Sequence, residues 1–284
     1  MAAVSPTPQG SLAPGVRPRG RNLPLAIASG VALAVLFTGS LAVHPYAFLA
    51  FFAVLVVIAV CEVAAALRTQ GLRPATPVVL AAGLVMLFGA YASGPAGQAL
   101  GLVLLVLAGL AWLLVDPQRD RLGADLAATC LMGLWVPFLA SFIALLLARP
   151  QGGWAVLATV ALAVTSDIAA FAFGSRFGRH PMASSVSPAK TWEGFAGGVA
   201  TVLLIAGLGT ANVPGFDVAT ALALGVAVCL AATVGDLAES MVKRDLGVKD
   251  LGGILPGHGG VMERADAIIF ALPAAHLLLG TLRP

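Results

Sequence analysis

Six of the chain's acidic residues, Asp236, Glu239, Asp245, Asp250, Glu263 and Asp266, fall within a single stretch of 31 positions. Asp236, Glu239, Ser240 and Lys243 are spaced i, i+3, i+4 and i+7, which on a helix makes one stripe. Such a stripe at the end of an apolar span is either a self-paired, snorkelling helix end or the wall of a wet cavity that takes metal and phosphate. The depth of Asp236 inside the apolar run favours the cavity. Five glycines follow between Gly252 and Gly260. They permit either a flexible connector or a backbone that brings N–H groups up to an anion. Lys243, Arg244, Lys249 and Arg264 bracket this loop, a combination that suits polyphosphate. His258 lies between glycines rather than on an apolar face, which fits a phosphate or base contact. Glu263-Arg264-Ala265-Asp266 opens the last apolar run. Asp266 there is either a helix cap or the partner of Asp236 across the bundle, the two sharing Mg²⁺.

A second group lies upstream. Asp167 and Glu62 are each embedded in an apolar segment and need a partner or a cavity. Gly174-Ser-Arg-Phe-Gly-Arg179 and Ser187-Pro-Ala-Lys-Thr-Trp-Glu-Gly194 follow Asp167. Ser187-Pro188 reads as a turn and Thr191 as the cap of the next helix. Lys190 and Glu193 are either an interfacial ion pair or part of the same site as the 241–265 loop. The three cysteines, Cys61, Cys130 and Cys229, are far apart and are expected to be small buried hydrophobes.

These groups need elements to carry them. The 284-residue chain is 59% hydrophobic and 10% charged, against roughly 25% charged for a soluble domain. That excludes a soluble enzyme, a disordered chain and a coiled coil, and points to an all-α polytopic membrane protein. Nine apolar runs are long enough to span a bilayer: 24–42, 46–66, 76–93, 97–115, 125–148, 154–174, 193–211, 217–240 and 266–282. With the N-terminus in the cytoplasm, 14 of the 16 Lys and Arg residues fall on the inside and only Arg149 and Arg283 outside. This asymmetry predicts a cytoplasmic N-terminus and an outside C-terminus. Residues 1–23 read as a disordered cytoplasmic tail; a signal peptide is the alternative, for which the following run is long. Residues 24–150 form N-terminal transmembrane helices, and 151–284 a C-terminal catalytic transmembrane domain. Its two longest loops, 175–192 and 241–265, are cytoplasmic, so chemistry belongs on that half of the bundle.

The spaced residues from Ser240 through Lys243, Arg244, Lys249, Asp250, Gly252, Leu255, Pro256, His258, Gly259, Gly260, Val261, Glu263 and Arg264 to Asp266 resemble the C-terminal signature of the phosphatidate cytidylyltransferases (CDP-diglyceride synthases). The upstream Asp167 span, the Gly174 turn and the Ser187 segment also match that family's pattern. The resemblance is dense over about 160–270 and rests on apolar helices alone over 24–150. Four positions depart: Glu263 and Ala265 stand in the usual Asp-Arg-hydrophobic-Asp, Ala189 where Lys is common, and Phe171 where Tyr is common.

The resemblance implies transfer of CMP from CTP to phosphatidic acid, giving CDP-diacylglycerol and pyrophosphate for phospholipid biosynthesis. It implies catalytic roles for Asp236, Lys243, His258 and Asp266. Divalent metal, expected as Mg²⁺, would lie on Asp236 and Asp266, with Asp167 and Glu263 as further candidates and a monovalent cation as a candidate assistant. Ser187, Lys190, Thr191, Glu239, Ser240, Arg244, Lys249, Asp250, Gly259, Gly260 and Arg264 would contact substrate. The expected partners are CTP, phosphatidic acid and the bilayer, with a homodimer as the candidate assembly and no nucleic acid. The expected place is the cell's inner (plasma) membrane, multi-pass, with the site facing the cytoplasm. Two rivals remain: a CTP-dependent polyprenol-type lipid kinase, and an anion transporter. The massing of charge on one membrane face and the lack of a paired repeat weigh against transport. No Asp-x-x-Asp-Gly start of a CDP-alcohol phosphotransferase is found.

Overall fold

The computed structural model describes residues 23–115, 121–209, 216–254 and 259–282. The expected tail and His258 lie outside the described residues. The helices are α1 (Leu23–Val43), α2 (Pro45–Thr69), α3 (Thr76–Ser93), α4 (Pro95–Val115), α5 (Leu122–Gly133), α6 (Leu139–Leu147), α7 (Gly152–Phe177), α8 (Trp192–Gly209), α9 (Val218–Asp245) and α10 (Met262–Leu282). Between α7 and α8, β1 (Pro181–Ala183) and β2 (Ser187–Thr191) pair antiparallel. Eight helical stretches among the described residues are long and apolar enough to cross a membrane. The first expected span corresponds to α1, whose apolar stretch is the shorter Ala28–Val43. The chain is thus an all-α polytopic membrane protein.

Two expectations need correction, and one span gains detail. The expected 125–148 span is found as Leu122–Leu147, within which a π-helical turn, Leu134–Phe138, joins α5 to α6. Pro137 lies within it; proline has no N–H to donate and its ring clashes with the preceding turn. The expected loops 175–192 and 241–265 are shorter than the charge pattern suggested. Helix α7 runs to Phe177, a hairpin fills much of the first loop, and α9 continues through Lys243 and Arg244 to Asp245. A helix can carry its charged turns beyond the apolar layer, so charge alone overstates loop length. Of the cysteines, Cys229 is buried, but Cys130 is only partly so and Cys61 is exposed. Val54, Cys61 and Ala65 share the outward stripe of α2.

Each span buries one face and offers the other to lipid. Phe48, Leu49, Met86, Leu105, Ile143 and Leu272 are fully buried where α2, α3, α4, α6 and α10 meet. On α4, Leu107 and Leu114 are 62% and 69% exposed, the pattern of a lipid-facing surface rather than a soluble one. Without a hydrophobic drive between helices in lipid, close backbone approach and polar contacts hold them. Gly89 and Gly97 bring α3 and α4 backbone to backbone, leaving no room for a side chain at either. Gln98 Nε2 donates to Ser141 Oγ at 2.7 Å, tying α4 to α6. The backbone N–H of Ala75 donates to Thr129 Oγ1 at 2.9 Å, and Arg149 Nη2 donates to the Leu279 carbonyl at 2.8 Å. His44 Nδ1 accepts the Tyr46 N–H at the start of α2, and Asp217 Oδ1 accepts the Thr220 N–H at 2.7 Å at the start of α9.

Gly97→Val should force α3 from α4. We expect a loss of about 1–3 kcal/mol from overpacking, read as a lower Tm of the detergent-solubilised protein.

Candidate active site

The hairpin hands its last residues to the bundle. Thr191 Oγ1 accepts the Gly194 N–H at 3.2 Å, so Thr191 caps α8 as its sequence position suggested. Of the two readings of Lys190 and Glu193, the ion pair between them does not form. Glu193 instead accepts the backbone N–H groups of Arg179 and His180 at 3.1 and 3.2 Å and pairs with His180 Nδ1 at 2.5 Å. With those oxygens satisfied at the α7–β1 turn, Lys190 is left to reach α9, where it pairs with Asp236. Ser187 sits opposite Ala183 in the hairpin ladder.

Helices α9 and α10 converge on their carboxylates. A Cβ on Gly235 would lie 2.5 Å from the Asp266 carbonyl oxygen and 2.9 Å from the Phe270 ring. That close approach brings the carboxyls of Asp236 and Asp266 within electrostatic reach of each other. Asp266 is 5% exposed and accepts the Ala267 N–H at 2.8 Å. Glu239 lies within the same reach of Asp266, and its Oε2 accepts from Lys243 Nζ at 2.7 Å. A continuous polar line therefore runs Lys243–Glu239–Asp266–Asp236–Lys190, from α9 across α10 and back to β2. Asp167 on α7 lies within electrostatic reach of Asp236, Lys190 and Arg264. Carboxyl groups this close hold a proton or a cation between them. Oxygen donors in a pair suit a hard divalent ion completed by phosphate oxygens. No group of three or more potential metal-ligating side chains occurs among the described residues, so substrate would have to complete the shell.

Glu263 is engaged by backbone amides on both sides of the glycine loop. One of its carboxylate oxygens accepts the Leu251 N–H and the other accepts the Gly260 N–H at 2.6 Å. Its lone pairs go to the glycine loop, which it closes on itself. Gly259 adopts φ +82°, a backbone that favours glycine. Lys249 and Asp250 are exposed on this loop, Ser240 is partly buried on α9, and Arg244 Nε donates to the Val186 carbonyl at 3.3 Å. The α9–α10 connection is further tied down by Gln70 Nε2, which donates to the Leu246 carbonyl at 2.8 Å.

Beside the polar line is an apolar cavity of about 600 Å³ between α1, α2, α6, α7 and α10. Phe37, Phe52, Leu157 and Ile268 are among its lining, and Arg264 stands at its wall. Val164 and Thr165 line it one helical turn from Asp167. The cavity is not legible in the sequence, because its walls come from apolar positions far apart in the chain. An apolar chamber adjoining carboxylates and a guanidinium fits an amphiphile with an anionic head.

The model of the cytidylyltransferase family matches residues 25–282 of the chain. The chain belongs to the cytidylyltransferase family. Among its relatives are the phosphatidate cytidylyltransferases of Mycobacterium bovis, 34% identical across 93% of this chain and 90% of that protein, and of Mycobacterium leprae, 33% identical across the full length of both. That of Staphylococcus aureus is 35% identical over 57% of this chain and 62% of its own. The family match reaches back to α1, whereas the sequence motifs had been dense only after about residue 160.

In this cytidylyltransferase the α9–α10 approach is what joins the two aspartates. Gly235→Val should push the helices apart and cut turnover by at least about tenfold, as misplacement near 1 Å is costly. The check is specific activity of the purified variant beside its monodispersity.

Proposed function

We propose that the protein transfers CMP from CTP to phosphatidic acid, yielding CDP-diacylglycerol and pyrophosphate. The observation that carries this reading is the closeness of the Asp236 and Asp266 carboxyls beside an apolar chamber walled by Arg264. A phosphatidate oxygen attacks the α-phosphorus of CTP, the bond to the α–β bridging oxygen breaks, and pyrophosphate departs with that electron pair. The lipid phosphate is already anionic, so no strong base is needed. The obstacle is the meeting of two polyanions, and fixed cations address it. Lys190 and Lys243, paired with Asp236 and Glu239, are placed to exchange those carboxylates for phosphates. Arg264 orients the lipid head, and Arg244, Lys249 and the 252–260 loop with His258 serve the nucleotide phosphates.

The Asp236–Asp266 oxygens fit Mg²⁺, which when bound would neutralise phosphate charge and stabilise the leaving pyrophosphate. Asp167 is the candidate for a further ligand. The 14-to-2 division of basic residues supports a site facing the cytoplasm from the inner membrane.

The test is phosphatidate- and Mg²⁺-dependent pyrophosphate release from CTP by the purified protein. CDP as the nucleotide product would instead indicate a lipid kinase. Asp236→Asn and Asp266→Asn should insert normally yet lose at least roughly 100-fold in turnover, because a lost metal ligand removes several kcal/mol of barrier lowering. Near-normal turnover in either variant would refute its role.

The cavity makes a separate prediction. Ala161 lines it, and Ala161→Trp should raise KM for long-chain phosphatidate by about 5–10-fold, the loss of a chain's burial against an apolar wall. KM for a dihexanoyl substrate and for CTP should stay unchanged.

A further inference from the structure

The hairpin between α7 and α8 is too small to hold itself. Its strands have three and five residues, Pro181–Ala183 and Ser187–Thr191, and their register is irregular between Pro181 and Ala183. Pro181 and Pro188 lack the N–H that a ladder needs, and a two-stranded hairpin alone is marginal in water. Yet this arm carries Lys190 to Asp236. The lysine stem is long and flexible, and a partly exposed ion pair is worth little once the stem must be ordered. The pair therefore depends on where the hairpin puts the Lys190 backbone.

Contacts at both ends of the arm fix that place. At its feet, Glu193 accepts the Arg179 and His180 N–H groups at 3.1 and 3.2 Å. Its other oxygen meets His180 Nδ1 at 2.5 Å; an ionised carboxylate only accepts, so the ring nitrogen donates. The Trp192 N–H donates to the His180 carbonyl at 3.0 Å, joining the same two turns. At the tip, Arg244 of α9 donates to the Val186 carbonyl at 3.3 Å. Glu193 lies in the first turn of α8, where any acid favours the helix dipole. The dipole does not account for both of its oxygens being turned back onto the α7–β1 turn, nor for the exposed His180 ring docked on one of them.

We propose that Glu193 and His180 are positioning residues for Lys190: they clasp the feet of the hairpin so that the lysine is delivered to Asp236. This deepens the proposed function and rests on that reading for what Lys190 does next, which is to meet substrate phosphate. With the clasp open, the arm is held only at its tip and Asp236 loses its fixed cation. Because Glu193 and His180 act through Lys190, the effect of removing them vanishes where Lys190 is already absent.

The experiment uses the full chain in lipid nanodiscs and compares wild type, Glu193→Ala, His180→Ala, His180→Asn and Lys190→Met, with Glu193→Ala and His180→Ala each also combined with Lys190→Met. Phosphatidate-dependent pyrophosphate release from CTP gives kcat and KM, and hydrogen exchange follows the 179–192 amides without substrate. Lys190→Met should lower kcat/KM for CTP by at least about 50-fold, Glu193→Ala by at least about tenfold and His180→Ala by about three- to fivefold. His180→Asn keeps a donor near the Nδ1 position and should recover most of that loss. In the Lys190→Met background both clasp substitutions should cost less than about twofold. Exchange at Arg179, His180 and Trp192 should accelerate at least about tenfold in Glu193→Ala, while α8 keeps its protection. Clasp substitutions that cost as much without Lys190 as with it overturn the proposal, since Glu193 would then be a merely structural residue. So does near-normal turnover in Lys190→Met, or normal turnover or unchanged hairpin exchange in Glu193→Ala. Should Glu193→Ala fail to insert, His180→Ala, which removes an exposed ring, decides by the same comparison. If the wild type releases no pyrophosphate from CTP, the functional reading fails, and the exchange data still decide whether Glu193 clasps the hairpin.

Discussion

The closeness of two carboxyls where two helices of the bundle approach each other governs the site. Asp236 and Asp266 come from different helices, and both are kept where the chain is otherwise apolar. Such groups do not sit together at no cost; a proton, a lysine or a metal must balance them. Lys190 meets Asp236 from a hairpin, Lys243 meets Glu239 from one helical turn away, and Asp266 lies within electrostatic reach of both carboxyls. Gly235 makes this possible, because the α9 backbone can then lie against α10 at the level of Asp266.

The rest of the bundle reconciles two solvents. A nucleotide must come from water and an acyl chain from the bilayer, and the reacting phosphates must meet between them. The apolar cavity adjoins the carboxylates through Arg264 and the Asp167 turn. The N-terminal helices, which bear almost no charge, earn their place here: α1 and α2 wall the cavity, and α2 also sends Glu62 to the Met262 N–H at the start of α10. The two halves of the chain are therefore one functional unit rather than an anchor and an enzyme.

Much of this was legible in the sequence. Length and composition marked the all-α membrane class, and eight of the nine expected spans are long apolar helices among the described residues, because an 18-residue apolar run has few other uses. The stripe from Asp236 to Lys243 foretold one helix face, since spacing along a helix is local. The convergence of Asp236 with Asp266 was legible only as a pairing of types, since the inter-helix approach depends on Gly235, whose role is invisible until its neighbour is known. The acid that Lys190 meets was not legible, because Glu193 is near in sequence while Asp236 is near in space. Glu263 entered as a metal candidate through the family resemblance, and that its oxygens also accept the Leu251 and Gly260 amides was not legible, because those amides lie across a loop. The π-turn at Pro137 and the hairpin went unseen, the first hidden in a continuous apolar run and the second in a polar stretch too short to show alternation.

The metal reading can be tested without turnover. Crystals of the protein grown with CTP and manganese, a scatterer that replaces magnesium, should show an anomalous peak about 2.1 Å from carboxylate oxygens of both Asp236 and Asp266 and touching nucleotide phosphate. A peak bound elsewhere, or nucleotide bound with no ion between these two side chains, would contradict it.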